Sequence, residues 1–259
     1  WLHDLLDGAS DVAEGVRASA YNAIGVLALP QGDLDGSEKY HNLALDSYKT
    51  LGDDRGTSAA LHNLGMVASD RGDLDLARER YQQALEMARN LGDRARVAAS
   101  LMNIGCVAYD SQQYADARVP IEESLAIQRE LRNRWYVGKA LALLGEIAIH
   151  LEDYEDAKAY LGECLPIFIG LSDTDGATLA LLHLGIAAAK TGNEPTAVQL
   201  FSVVDRVRVG VERGIHPAIQ ETSRIAKQEL ARHLGWEEYQ RLESMGRTLD
   251  LRQAWLLAS

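Results

Sequence analysis

The sequence predicts an all-α solenoid of antiparallel helix pairs, and three observations predict it. Five glycines, Gly25, Gly65, Gly105, Gly145 and Gly185, stand forty residues apart without a slip. Around each of them the same residue classes recur in register, the mark of an internal repeat whose unit buries its apolar face against its neighbours. The composition is helical: 47% of residues are hydrophobic but only 6% aromatic, with Ala and Leu abundant.

The register fixes each element in turn. Before the glycine comes Ile24, Leu64, Ile104, Leu144 or Leu184, and four before it a large apolar residue, Tyr21, Leu61, Leu101, Leu141 or Leu181. Three after it is Ala28, Ala68, Ala108, Ala148 or Ala188, and twelve after it a small residue, Ser37, Ala77, Ala117, Ala157 or Ala197. Sixteen after it stand Tyr81, Ile121, Leu161 and Phe201, with His41 the exception. A glycine inside a helix costs about 0.5–1 kcal/mol relative to alanine. Its recurrence therefore predicts close approach of the paired helix. The Gly32-Asp33, Gly72-Asp73 and Gly192-Asn193 pairs mark the turn within a hairpin, where Gly takes the left-handed conformation and Asp or Asn caps the next helix. Leu51-Gly52-Asp53 and Leu91-Gly92-Asp93 do the same between repeats, degrading later to Leu131-Arg132-Asn133 and Leu171-Ser172-Asp173. Helix pairs are expected near 16–30/34–51, 55–70/74–91, 95–110/114–131, 136–150/154–171 and 176–190/194–212. Pro195 suits a first turn. Pro120 and Pro166 fall inside second helices and should bend them.

The chain therefore divides into residues 1–15, the tail of a preceding repeat helix, 16–213, five repeats, and 214–259, a helical cap. It opens at Trp1 rather than Met, and Trp1 to Asp7 reads as the end of an earlier second helix, so the array is expected to continue upstream. Beyond Gly214 the forty-residue register stops. Residues 217–234 read as a helix with Ile219, Ile225, Leu230 and Leu234 on one face, closed by Gly235. A second helix carries Trp236, Tyr239 and Leu242 before Gly246, and a third starts at Asp250 as N-cap. This segment reads either as a cap over the last apolar face or as a docking surface for a neighbouring domain.

Composition narrows the function. A net charge of −12 repels a phosphate backbone, so no direct nucleic-acid contact is expected, whereas partners with basic faces are accommodated. Cys106 and Cys164 lie in apolar helical stretches and imply no disulfide. A reducing cytoplasm is the expected location, with no membrane span and no signal peptide.

No catalytic constellation emerges, and no cofactor or metal is expected. The seven histidines, His3, His41, His62, His150, His183, His216 and His233, form no His-Glu-x-x-His helix and no ligand cluster. Gly138-Lys139 lacks the second glycine and the following Ser/Thr of a phosphate-binding loop. Glu122-Glu123, Asp153 with Glu155-Asp156, and Glu237-Glu238 fall at helix starts or on charged faces, where they favour the dipole and solubility. No serine has a triad context. The chain reads as a non-enzyme.

These spacings resemble the tetratricopeptide repeat (TPR) pattern of large–x–x–Leu–Gly–x–x–Tyr, then Ala, then Phe, then Ala. Two departures stand out: Ala replaces the Tyr throughout, and the repeat has forty residues rather than thirty-four. The resemblance implies a right-handed superhelical solenoid in which first helices line a concave groove. Carried over position by position, the groove places are Asn22, Val26 and Leu29; His62, Asn63, Met66 and Ser69; and Met102, Asn103, Cys106 and Tyr109. In the last two repeats they are Ala142, Glu146 and Ile149, then Leu182, His183 and Ile186, with Lys139 joining from the preceding turn. Asn63 and Asn103 occupy equivalent places, so their amides form either a ladder for an extended peptide backbone or bonds to a neighbouring helix. Met66 and Met102, with Cys106 and Tyr109, add adaptable apolar contact. The basic pairs that clamp a terminal carboxylate in co-chaperone TPRs are missing.

The Leu-Gly-Asp-x-x-Gly run (Leu51 to Gly56), the Asn-Leu-Gly and Asn-Ile-Gly helices, and the tail Gly246-Arg247-Thr248-Leu249-Asp250-Leu251-x-x-Ala254 resemble the C-terminal TPR sensor of large bacterial LuxR-type and winged-helix signalling ATPases. That resemblance implies a sensor that binds a protein, peptide or small inducer, with NTPase and DNA-binding domains upstream. A scaffold that assembles proteins, including copies of itself, and a peptide-pheromone-binding TPR regulator are the alternatives.

Overall fold

At every twentieth residue the backbone passes through the left-handed region. Gly32, Gly52, Gly72, Gly92 and Gly192 have φ between 67° and 82°, and Gln112, Arg132, Glu152 and Ser172 take φ of 56° to 62° at the equivalent places. In each turn the next amide reaches back to the helix it leaves, as Asp53 N–H does to the Tyr48 carbonyl (2.9 Å) and Asp173 N–H to that of Phe168 (2.9 Å). This backward bond satisfies a carbonyl that the helix end leaves bare. The same residue then starts the next helix. The carboxylates of Asp33, Asp53, Asp73, Asp93 and Asp173 each accept the amide hydrogen three residues on, at 2.8–3.1 Å. One residue after the turn thus closes one helix and caps the next.

The computed structural model describes residues 13–207 and 217–258. Within them the helices are α1 (Glu14–Ala28), extended by a 3-10 turn (Leu29–Gln31), with α2 (Leu34–Leu51); α3 (Asp54–Asp70) with α4 (Leu74–Asn90); and α5 (Arg94–Asp110) with α6 (Tyr114–Glu130). They continue as α7 (Arg134–His150) with α8 (Tyr154–Gly170), and α9 (Thr174–Lys190) with α10 (Glu194–Val207). The expected pairs agree with these bounds. Trp1 to Asp7, the stretch 208–212 and the stop near Gly214 lie outside the described residues.

The in-register glycines are where the two helices of a pair cross. A Cβ on Gly65 would stand 2.7 Å from the Tyr81 ring, and one on Gly185 2.8 Å from Phe201. On Gly105 it would meet Ile121 at 2.3 Å and on Gly145 Leu161 at 2.5 Å. On Gly25 it would lie 2.7 Å from the His41 ring, so His41 fills the same socket as its apolar counterparts and is fully buried. Seating such a side chain returns roughly 2–3 kcal/mol of burial, more than the glycine forfeits in helix propensity. Between repeats a second pairing operates: the Tyr48 ring covers Gly56 and Phe168 covers Gly176.

Contacts divide the chain into two compact units, residues 1–127 and 128–259, with the boundary inside α6. The first unit packs α1 to α5 consecutively, around Leu45, Tyr48, Leu61 and Leu64 and then Leu85, Val97, Leu101 and Ile127. The second buries Leu141, Leu144, Leu161, Leu165, Leu181, Leu200 and Phe201 almost completely. It also contains α11 (Pro217–Leu234), α12 (Trp236–Thr248) and α13 (Leu251–Ala258).

Helices α6 and α8 run unbroken through Pro120 and Pro166. Proline has no N–H, so Pro166 frees the carbonyl four residues earlier, on Gly162. The indole N–H of Trp255 in α13 takes that carbonyl, at 3.3 Å. The proline thereby creates an anchor point for the last helix.

Helix α12 packs along α10, and α13 touches α8, α9 and α10. Gly246 does not end α12, which runs to Thr248; instead a Cβ there would meet the backbone of Gln199, 2.5 Å from its carbonyl oxygen. The Arg206 guanidinium donates to the Leu249 carbonyl. Asp250 and Gln253 exchange reciprocal capping bonds (2.7 and 2.8 Å) that open α13, and Ala254 is fully buried. The tail motif is thus a packing motif. On α11 the buried face is Ile219, Ser223, Ala226 and Leu230, while Ile225 is exposed. Six residues after Ile219, Ile225 points well away from it at 3.6 residues per turn.

Candidate functional site

In the first unit the groove positions of α1, α3 and α5 form two equivalent polar links. Asn22 Oδ1 accepts from Asn63 Nδ2 at 3.0 Å and faces His41 Nδ1 at 3.1 Å. A carboxamide oxygen only accepts, so His41 carries its proton on Nδ1. Its Nε2 is then an acceptor, buried and without a partner among the described residues. One repeat on, Asn103 Nδ2 donates to His62 Nε2 at 3.3 Å, which puts the His62 proton on Nδ1, toward Ser100 Oγ at 3.4 Å. The His62 ring also meets Tyr81 edge-on, with centroids 5.4 Å apart.

Both histidines are held neutral. Burial lowers the pKa of His41 from 6.5 to about 4. Burial, and then the nearby Arg96 cation, lowers that of His62 to about 4. Each link therefore joins uncharged groups.

Asn63 spends one N–H on its link and, among the described residues, its carbonyl oxygen and second N–H have no protein partner. Asn103 spends one on His62. One residue beyond each in-register glycine stand Val26 and Met66, both exposed, and Cys106, half-buried; Met102 is half-buried as well. Tyr109 is buried, its ring edge-on to Tyr114 at 5.5 Å, so it supports the face rather than lining it.

In the second unit the equivalent positions are treated differently. Leu182, His183 and Ile186 on α9 are enclosed, as is Ile149 on α7, where the resemblance implied a lining role. Helices α11 and α13 pack against α9 and help cover it. His183 occupies the place of Asn63 and Asn103, yet among the described residues neither of its ring nitrogens has a hydrogen-bond partner. The Glu146 carboxylate lies 3.8 Å from Nε2, too long for a hydrogen bond. Burial lowers the His183 pKa; Glu146 works against that shift and His150 adds to it. Lys139 is exposed, with Nζ 4.9 Å above the Trp135 ring.

The links of Asn22, His41 and Ser100 were missed in the sequence. His41 broke an apolar column, which was the available signal; Ser100 gave none.

The arrangement offers neutral donors and acceptors beside soft apolar contact. Cys164 is fully buried and its thiol is pushed up to about 12, first by burial and then by Glu163. It is therefore no thiolate at neutral pH. Among the described residues no group of three His, Cys, Asp or Glu is placed to hold a metal ion. None of the described helices is long and apolar enough to cross a membrane.

Residues 16–130, in two overlapping matches, and 138–167 match models of the tetratricopeptide repeat. The chain carries tetratricopeptide repeats, and its helix pairs are those of TPR-like solenoids. By sequence, no curated protein matches it significantly. By structure it is similar to a signal transduction ATPase with numerous domains (STAND) bearing a tetratricopeptide repeat sensor, from Pyrococcus horikoshii. That likeness has a TM-score of 0.74 at 17% identity and covers 98% of this chain and 40% of that one. It is also similar to BtubC (BKLC) from P. vanneervenii, with a TM-score of 0.71 at 19% identity over 83% of this chain and 89% of that one. A Rap protein complexed with Competence and Sporulation Factor gives 0.59 at 14% identity, over 99% of this chain and 81% of that one.

Proposed function

We propose that this chain is a non-catalytic binding module, the sensor part of a larger signalling or transcription regulator. It takes an extended peptide or protein segment along the first-helix face of residues 14–110. The observation that carries the reading is the Asn63 amide, pinned by Asn22 while its carbonyl oxygen and second N–H stay unspent. Asn103 repeats the placement one repeat on. Fixing an amide in advance lowers the ordering cost of binding a peptide backbone. Val26, Met66 and Met102 beside the amides suit apolar side chains of varied shape. The resemblance of the tail and the likeness to a STAND sensor support a place within a longer chain. The likeness to a Rap protein crystallised with a signalling factor supports the narrower reading of a peptide-pheromone regulator.

The test is selection of peptides from an unbiased displayed library against the wild-type chain, followed by titration of the enriched peptides. Asn63→Ala with Asn103→Ala is expected to weaken them at least about ten-fold, because two backbone-bonding amides are lost. The melting temperature should stay within a few degrees. Equal binding by the double variant would remove the amides from the site and leave the scaffold reading.

A further inference from the structure

The start of α7 breaks with the rest of this acidic chain. Between Glu130 and Glu146 the sequence has no carboxylate, yet it carries Arg132, Arg134 and Lys139 in a protein of net charge −12. Among the described residues, none of these three cations has a carboxylate partner. Arg129, one turn earlier, is by contrast paired with Glu163 at 2.6 Å. The same stretch exposes three large apolar side chains, Leu131 (45%), Trp135 (43%) and Tyr136 (41%). The Trp135 and Tyr136 rings meet edge-on with centroids 4.8 Å apart, and Lys139 Nζ sits over Trp135. The Arg134 guanidinium lies against Gly170, next to the exposed Leu171.

Scattered exposed apolar residues need no explanation, but neighbouring ones ringed by uncommitted cations form a recognisable surface. Tryptophan, tyrosine and arginine are the side chains that most often carry interface energy. The contact with Lys139 and the edge-on Tyr136 hold the Trp135 ring in place before any partner arrives.

We propose that the surface made by Leu131, Arg132, Arg134, Trp135, Tyr136 and Lys139 docks an acidic protein segment carrying an apolar or aromatic anchor. Charge complementarity selects that occupant. A basic segment is drawn to the rest of this molecule but repelled here, and an acidic one finds its uncommitted cations here. A nucleic acid would also meet the cations, but its continuous phosphates would face the net negative charge of the whole chain. The surface shares no residue with the amide-lined face of residues 14–110, and either proposal stands if the other fails.

The test titrates the full chain with labelled peptides of about twelve residues: an Asp/Glu-rich peptide with a central Leu-Phe, the same without the anchor, and its Lys counterpart. A single-stranded oligonucleotide and sedimentation of the chain alone complete the set. The anchored acidic peptide is expected to bind, with the anchorless one at least about ten-fold weaker and the Lys peptide not binding. Trp135→Ala, and separately Arg132→Glu with Arg134→Glu, should each cost at least about ten-fold. Glutamate is favourable in a first helical turn, where Arg134 sits, and Glu152 already holds the left-handed turn position equivalent to that of Arg132, so the charge reversal keeps α7 folded, and circular dichroism checks this. Added salt should weaken the wild type more than the charge-reversed variant. Asn63→Ala with Asn103→Ala should bind the acidic peptide as the wild type does. No binding of the anchored acidic peptide, unchanged binding by the variants, or equal binding of the Lys peptide would overturn the proposal. Preference for the oligonucleotide, or self-association abolished by Trp135→Ala, would overturn it in favour of those occupants.

Discussion

The two units use one repeat register for opposite ends. In the first, the turn signals are nearly complete, with glycine at positions 32, 52, 72 and 92. Its first-helix face is left half-open, with Asn63 and Asn103 each tied to the preceding repeat. In the second, three of four turn glycines are replaced, by Arg132, Glu152 and Ser172. Yet every residue from Leu181 to Ala188 is buried. Turn chemistry and burial contribute to the same stability, so a unit with a more enclosed core tolerates poorer turns. It also gives up the open face. At the place of the asparagines it holds a buried histidine with no hydrogen bond, and such a group is a cost rather than a contact surface.

The sharpest way to break the second unit is at its closing helix. A Cβ on Gly246 meets the Gln199 backbone, which has no rotamer to move aside. Gly246→Val should destabilise this unit by about 3 kcal/mol, the upper range for overpacking. Native-state hydrogen exchange should show early loss of protection in α12 and α13, with α1 to α4 unchanged. Uniform loss across both units would mean that the closing helices are not a local element.

Acid tests the socket that the two units fill differently. His41 is buried in the socket that Leu161 and Phe201 fill in the second unit. Its folded pKa of about 4 lies below the 6.5 of the free side chain. The folded state therefore prefers the neutral ring. His41's contribution is complete above pH 6.5 and is lost as the pH falls toward 4, because the unfolded chain takes up the proton first. At pH 5 the loss is about 2 kcal/mol. His41→Phe, the residue used at position 201, should remove that part of the acid sensitivity. Urea midpoints at pH 7.5 and 5 check it: the wild type should drop further than the variant. Parallel drops would place the acid sensitivity elsewhere.

The sequence exposed most of the fold because its repeat is written in steric necessities. A glycine under a ring, an Asp after a left-handed turn and an alanine at a crossing each admit few substitutes, so Gly25 to Gly185 could be aligned by eye. The site was legible only in part. Asn63 and Asn103 were found by register, but their bonds to Asn22 and His62 depend on how far one repeat is rotated from the next. Residue spacing does not carry that rotation. Enclosure of α9, which carries His183, was invisible for a similar reason, since helices that lie outside the repeat pack against it. The Tyr48–Gly56 and Phe168–Gly176 pairs did leave a trace. Where the second helix offers Ala88 or Gln128 instead of an aromatic, the residue eight further on is Arg96 or Tyr136 rather than glycine.

The degraded turns offer the finest test of the comparison. Ser172 holds φ 57° between α8 and α9 where the first unit would place a glycine. A side chain in that region costs about 1 kcal/mol or more, while glycine adds backbone entropy to the unfolded chain and so returns part of the gain. Ser172→Gly should therefore stabilise the chain by roughly 0.5–1 kcal/mol. The gain would appear as a rise of a few degrees in melting temperature with no change in helix content. The reverse change, Gly52→Ser in the first unit, should cost a similar amount. If Ser172→Gly were neutral or destabilising, its hydroxyl would have to supply an interaction equal to the strain. The replaced turns of the second unit would then be adaptations rather than losses that its core absorbs.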